Sequence, residues 1–293
     1  MAGTIKGEGR SGLWELSAGY THKGEKMSRL AILTAVFRDS EGLARTLLNL
    51  PDDASGADIY IVDDGSIPPV VLPEGIRVDV SIRVLRLGKN SGAAVARNAG
   101  LKEILSRDYE YVAVLDAGDV ALPGRFSKTV AFLDEHREYG LVGGQARFVT
   151  PSGEIGEFFP TRYEDIRRVM HARGCFNHST VTFRADVLRK LGGYNEKFVV
   201  AHDYELIWRV IRAGYKVANI DETLVDYFLD PRGLTVTKRR KQISNRMRIM
   251  LANFDPWVVE SYWGILKNLL LLVLPFHWVW RVKQVFRKRP EWL

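Results

Sequence analysis

Three acidic clusters interrupt otherwise apolar stretches of this sequence. They are Val62-Asp63-Asp64-Gly65-Ser66, Asp116-Ala117-Gly118-Asp119, and Gly192-Gly193-Tyr194-Asn195-Glu196 followed by His202-Asp203. Paired carboxylates such as Asp63 and Asp64 can accept hydrogen bonds from a nucleobase imide or a ribose hydroxyl, and Gly65 permits a tight turn between elements. Asp116 and Asp119 offer hard oxygen donors suited to Mg2+ or Mn2+, ions that often bridge a diphosphate. Asp203, beside His202, can take a proton from a hydroxyl group. Taken singly, each cluster is also ordinary turn chemistry, and Asp203 is also a good helix N-cap. Only their joint occurrence separates chemistry from punctuation.

The elements around the clusters set where they meet. Residues 29–37, 59–62, 82–87 and 111–115 are short apolar runs, which read as buried strands. Helices are expected over residues 39–50, ending at Pro51, and over 93–106. Strand, helix, strand, strand, helix, strand implies a layered α/β sheet, mostly parallel, with helices on its faces. Ligands bind beyond the carboxyl ends of such strands. The first two clusters follow strands directly, so all three are expected to converge there. Further on, helices are expected at 126–136, 184–191 and 203–212, a hairpin at 141–159 and a strand at 217–220.

The order and spacing of four stretches resemble the inverting glycosyltransferase family 2, of GT-A fold. They are the strand with VDDGS, the run Asn90-Ser91-Gly92-Ala93-Ala94-Val95-Ala96-Arg97-Asn98-Ala99-Gly100, the DAGD turn, and GGYNE with HDYELIWR. They span about two-thirds of the chain. The resemblance implies a GT-A-like, Rossmann-like catalytic domain and a nucleotide-diphosphate sugar donor. It also implies a hydroxyl acceptor on a glycan or lipid-linked glycan, and transfer with inversion, as in cell-surface polysaccharide or glycolipid synthesis. It places Ala35, Val36 and Phe37 at the base pocket and Asp63 or Asp64 on the base or ribose, with Gly92 and Arg97 beside the nucleotide. Asp116 stands at the first acid of the family's metal motif, and Asp203 at the catalytic base.

Three positions depart from the family pattern. Gly118 stands where the family carries an acid, so the implied Mn2+ or Mg2+ would rest on Asp116, Asp119 and Asp230, the last replacing a family histidine. Arg232 would then contact the diphosphate. His202 stands where an acid often precedes the base. Asn177, His178 and His202 are expected to face the acceptor, although a core or turn role suits His178 as well. Trp208 is expected in the core. A nucleotidyltransferase or an inactive nucleotide-sugar-binding module are the competing readings. The first lacks its Gly-rich basic signature near residues 34–40, and Gly118 is the best support for the second.

The 293 residues are 46% hydrophobic and 26% charged, which excludes a disordered or collagen-like chain. A single cysteine, Cys175, excludes an internal disulfide and a cysteine-based zinc site. The net charge of +7 is uneven: residues 236–293 carry +9 and five of the seven tryptophans. Residues 1–28 lack an apolar signal core and read as a loose tail. Residues 29–235 form the expected catalytic domain, divided into a donor half (29–125) and an acceptor half (126–235). Residues 236–293 form a basic, amphipathic helical extension. Its Leu-rich run at 269–274 is too short to span a bilayer. Beside tryptophan and basic residues, it suits an anionic membrane surface, with an extension packed on the catalytic domain or on a second subunit as the competing reading, and not nucleic acid. A cytoplasmic protein, peripheral on the inner face of the cell membrane, is the resulting expectation.

Overall fold

The structure is a computed structural model that describes residues 5–6, 13–16, 28–150, 153–228 and 238–273. Two short strands, β1 (Ile5–Lys6) and β2 (Leu13–Leu16), lie where the sequence reads as a loose tail. The body follows with β3 (Leu30–Val36), α1 (Ser40–Leu48), β4 (Asp58–Asp63), β5 (Ser81–Leu87), α2 (Ala93–Leu105) and β6 (Tyr111–Val114). Next come β7 (Val120–Ala121), α3 (Arg125–Glu135), β8 (Tyr139–Thr150), β9 (Gly153–Glu157), α4 (Tyr163–Met170) and β10 (Thr182–Arg184). The body closes with α5 (Ala185–Leu191), α6 (His202–Arg212) and β11 (Lys216–Phe228).

Among the described residues the strands form one sheet in the order β1-β2-β5-β4-β3-β6-β10-β8-β11-β7, with β9 on β8. Strands β5, β4, β3 and β6 are mutually parallel. Beyond β6 the sheet is mixed: β10 runs antiparallel to both neighbours, and β11 is parallel to β8. The mostly parallel sheet read from the sequence therefore holds for β5, β4, β3 and β6, and antiparallel pairing enters on both sides of them, at β10 and at the β1–β2 edge that pairs with β5.

Buried on both faces, the central strands are continuous apolar runs. Alternation sends Ala31, Leu33, Tyr60 and Val62 into one core with α2, α5 and α6, and Ile32, Ile59 and Ile61 into a second with α1 and α3. Helix α2 lies so close to the sheet that a Cβ on Gly100 would stand 2.4 Å from Leu33 Cδ1 and 2.9 Å from Val62 Cγ2. That approach fixes the start of α2, and with it Arg97, above the strand ends.

Two C-terminal helices, α7 (Arg239–Ala252) and α8 (Val259–Val273), pack on this body. Ile249 and Met250 of α7 join the same core as Tyr204 and Trp208 of α6. A Cβ on Gly264 of α8 would lie 2.2 Å from the His171 carbonyl oxygen. The sequence expectations at Asp230, Arg232 and residues 274–293 fall outside the described residues.

Candidate active site

The first acidic cluster shapes loops. Asp63 is buried; its Oδ1 accepts from the Ser66 N–H (2.9 Å), its Oδ2 from the Val70 N–H (3.3 Å), and Arg86 Nε stands 3.7 Å away. Asp64, also buried, holds the Asn90–Gly92 turn. It accepts from Ser91 N–H at 2.7 Å, from Gly92 N–H at 2.8 Å and from Asn90 Nδ2 at 3.1 Å. Burial raises the Asp64 carboxyl above its ordinary value, against the pull of those two N–H groups. Gly65 has φ +70°, and a Cβ there would fall 2.3 Å from the Lys89 carbonyl carbon, so this crossing of two turns demands glycine. Ala35 is half-buried, and Phe37 lies exposed at the end of β3 beneath the Arg38 guanidinium, 5.1 Å from its ring centre.

The second and third clusters meet each other through Arg97. This buried arginine donates to Asp116 Oδ1 at 2.5 Å, and its Nη1 stands 2.6 Å from His202 Nε2. The Asp116 side chain keeps 29% of its surface exposed, and His178 Nδ1 lies 3.7 Å from its second oxygen. Burial alone would raise Asp116, but Arg97 and His178 outweigh it and hold the carboxyl well below the usual range. His178 Nε2 is 2.9 Å from the Tyr194 hydroxyl. The rings of His178, Tyr194 and His202 pack edge to face, with centroids 5.6 to 6.3 Å apart. Burial, then Arg97, lowers His202 to about 4, so it is neutral at pH 7.

Asp203 lies in the first turn of α6. The alternative role of helix N-cap does not hold, because the helix starts one residue earlier and Ala201 takes the cap position with φ 62°. A non-glycine residue there costs roughly 1–3 kcal/mol, and such strain is tolerated where the surroundings over-determine the backbone. Here they do. Arg209 of α6 donates to the carbonyls of Leu191 (2.8 Å) and Gly193 (2.6 Å), and Asn245 of α7 donates to the Val200 carbonyl (3.0 Å). Burial opposes the charge on Asp203; the His202 ring when protonated, together with His178, the Tyr204 N–H and Arg246, acts against burial, and the carboxyl stays below its ordinary value. An ionised carboxylate, half-buried and flanked by neutral and cationic nitrogen groups, is a competent proton acceptor.

Asp119 is placed differently from Asp116. It is buried, accepts from the Ser179 hydroxyl on Oδ2 and from the Phe228 N–H on Oδ1 at 3.3 Å, and burial with the nearby Asp116 raises it well above the usual value. Gly118, at φ +100°, carries no ligand. Among the described residues no group of three or more His, Cys, Asp or Glu side chains could hold a metal ion. The hard, partly exposed carboxylate of Asp116 is the donor that fits one. Mg2+ sites commonly take one or two carboxylates and draw further oxygens from a bound phosphate.

Several contributors carry little sequence signal of their own. Ser179 joins the two acids of the DAGD turn: its hydroxyl accepts from the Asp116 N–H at 3.1 Å and donates to Asp119. Arg125, fully buried, donates to the carbonyls of Ser179 (3.0 Å), Val181 (3.0 Å) and Val114 (3.2 Å), locking the site's floor. Asn98 brackets Tyr194, donating to its carbonyl at 2.9 Å and accepting from its N–H at 2.8 Å. Asn177 caps the turn that carries His178, accepting from the Ser179 N–H at 3.0 Å. Gly92 caps α2 and gives its N–H to Asp64. Trp208 is buried in the core against His171, as its helical position implied.

A sequence profile of Glycosyl transferase family 2 matches residues 31–192. The chain belongs to this family. It is 32% identical over 174 residues to an uncharacterized glycosyltransferase of Haemophilus influenzae, covering 57% of this chain and 62% of that one. It is 30% identical over 189 residues to the amylovoran biosynthesis glycosyltransferase AmsE of Erwinia amylovora, covering 63% and 70%. The chain thus spans between about three-fifths and seven-tenths of the length of these relatives. Among solved structures, S. aureus TarS (residues 1–349, in complex with UDP) superposes with a TM-score of 0.58 at 16% identity, covering 85% of this chain and 76% of TarS. A Pyrobaculum calidifontis mannosyltransferase in complex with GDP-Man and Mn2+ gives 0.55 at 16% identity, covering 88% and 73%. At that identity the likeness establishes the GT-A fold.

Proposed function

We propose that this family 2 glycosyltransferase moves a sugar from a nucleotide-diphosphate sugar to a hydroxyl of a growing glycan or lipid-linked glycan, with inversion at the anomeric carbon. The observation that carries the reading is the convergence of Asp116 and Asp203, from opposite halves of the chain, on Arg97 and His202. The donor lies across the ends of β3, β4 and β6, with the loop braced by Asp64 and Arg97 beside the nucleotide. UDP bound to TarS and GDP-Man bound to the Pyrobaculum enzyme support a donor of this class. The relationship to an amylovoran biosynthesis enzyme supports polysaccharide synthesis as the setting.

Asp203 accepts the proton of the acceptor hydroxyl. The freed oxygen attacks the anomeric carbon from the face opposite the diphosphate, whose bond to that carbon breaks. Neutral His202 borders Asp203 without adding a competing charge. Arg97 fixes Asp116 and His202 in one frame, so donor and base keep their spacing. A divalent cation, held by Asp116, would neutralise charge on the departing diphosphate.

The test is incubation of the chain with radiolabelled UDP- and GDP-sugars, with and without Mn2+, followed by NMR of the product's anomeric configuration. Transfer or slow donor hydrolysis with an inverted anomer supports the reading. Pyrophosphate chemistry would assign a nucleotidyltransferase, and binding without turnover an inactive module.

A further inference from the structure

Helix α8 is inside out. Its small and polar stripe faces the protein: Ser261 bonds the His171 ring at 2.9 Å, Gly264 lies against the 171–172 backbone, and Asn268 is buried beside Met250. Lys267, the helix's one basic residue, is turned inward and donates to the Ala172 carbonyl at 3.0 Å. The opposite stripe is large, apolar and open. Val259, Tyr262, Trp263, Leu266, Leu269 and Leu270 are 46 to 76% exposed, and Trp257 in the preceding turn is 92% exposed. A surface helix in water normally buries its apolar stripe and wets its polar one. Here docking on the catalytic body satisfies the polar stripe and leaves the apolar one for a different medium.

Charge identifies that medium. Arg239 donates to the Leu271 carbonyl at 3.1 Å, so the first turn of α7 lies at the far end of the apolar stripe. Lys238, Arg240 and Lys241 are exposed on that turn. The chain beyond α8 adds Arg281, Lys283, Arg287, Lys288 and Arg289 with three more tryptophans. An apolar face bearing Trp and Tyr, ended by clustered Lys and Arg, matches a helix lying in the interface of an anionic bilayer. Another copy of this chain would bring charge of the same sign. No described helix is long and apolar enough to cross a membrane, and a stripe open along one side of a helix whose other side is docked on the body suits a position on the bilayer. We infer that the exposed stripe of α8, from Trp257 to Leu270, is the surface by which the catalytic body docks on anionic lipid. Resting on the transfer reading above, this places the acceptor at the membrane, on a lipid carrier.

The test is flotation of the full-length chain with vesicles of phosphatidylcholine alone or mixed with phosphatidylglycerol. Binding to the mixed vesicles is expected, with Trp fluorescence quenched by brominated lipid. The Trp263→Asp/Leu266→Asp double variant should bind at least about tenfold more weakly, with circular dichroism and UDP or GDP binding unchanged. If that variant misfolds, Trp257→Phe/Trp263→Phe decides: loss of most of the brominated-lipid quenching supports α8, and full quenching overturns it. Failure of the full-length chain to float, or undiminished binding by a folded double variant, also overturns the inference. A dimer dissolved by the double variant in the absence of lipid binding assigns the stripe to a second copy instead. Nucleotide binding is read separately, so failure of the transfer reading stays distinguishable from failure of this one.

Discussion

Asp63 and Asp64 resemble Asp116 and Asp203 in sequence, as acids bordering apolar elements, yet the structure treats the two pairs in opposite ways. The first pair is bound almost wholly by the chain's own donors: Ser66 and Val70 N–H for Asp63, Ser91 and Gly92 N–H with the Asn90 amide for Asp64. A carboxylate has about four acceptor positions, so Asp64 keeps one for a ligand. The second pair is held mainly by charged and imidazole side chains, with Arg97, His178 and His202 around it. Charge acting from a neighbouring side chain stabilises the ionised form and leaves lone pairs open. The first pair shapes loops; the second keeps ionised oxygens open, which is what the proposed reaction needs.

The sharpest way to break this contrast is Asp203→Asn. The amide keeps the shape and cannot take a proton, so turnover should fall by about 10²- to 10⁴-fold with donor affinity unchanged. Single-turnover kinetics and calorimetric titration of the donor measure the two quantities. Turnover near wild type would return Asp203 to a structural role and dissolve the contrast.

Asp64→Ala tests the other side. It removes a charged acceptor from three donors, two of them backbone N–H groups, and should cost about 3 kcal/mol in urea unfolding. Because the Asn90–Gly92 loop also loosens, donor affinity should weaken, while the turnover of bound donor changes less than in Asp203→Asn. A purely kinetic defect without loss of stability would mean that Asp64 acts on substrate directly.

Two buried histidines, His202 beside the second pair and His171 against Ser261 of α8, predict a pH dependence. His202 is depressed from 6.5 to about 4, and burial also lowers His171. Between those values the unfolded chain binds protons that the folded chain refuses, so the histidines' contribution to stability is complete above about pH 6.5 and is lost as pH drops toward 4, while the raised carboxyls of Asp64 and Asp119 act in the opposite sense. Urea midpoints measured from pH 7.5 to 4.5 read the sum, and the part due to His202 is the difference between wild type and His202→Gln. On acidification the variant should lose less stability than wild type. An identical slope would show that His202 is not the buried neutral group described.

What could be read from the sequence follows from the same physics. Strands β3 to β6 lie within a residue or two of expectation, because continuous apolar runs ended by Asp, Gly or Ser announce both-faced burial and a turn. Strand β11 was expected only over 217–220, yet it continues to Phe228. Asp221, Glu222 and Thr223 interrupt its apolar run where the pairing with β8 slips and the three side chains turn outward. Helix α4 escaped notice because, in a highly charged segment, only Ile166 and Met170 are buried. Asp116 and Asp203 were visible as candidates, but Arg97 joining Asp116 to His202 is a contact over 105 residues that no local pattern encodes. A helix over α7 was visible too, although Leu251 and Phe254 of its expected apolar face are exposed. Which stripe of α8 faced the body was not, since that depends on the close approach at Gly264.

The smallest expected effect asks whether the C-terminal pair contributes to aiming the base. Asn245 of α7 is buried, and its amide donates to the Val200 carbonyl, one residue before the strained Ala201 and three before Asp203. Asn245→Ala leaves that carbonyl without this partner, at a cost of about 1 kcal/mol in stability. It also lets the αL turn relax, displacing a carboxylate whose proton transfer depends on sub-ångström placement. kcat should fall by up to about tenfold while KM for the donor stays constant, because Ala35, Asp64 and Arg97 lie on other elements. A structural defect alone would lower the melting temperature and the amount of folded protein without changing kcat per folded molecule, so the kcat-against-KM split separates the two. If kcat per folded molecule is unchanged, α7 and α8 are ballast for the catalytic body and a seat for the membrane face. If it falls, the helix pair that carries the proposed bilayer surface also sets the aim of Asp203.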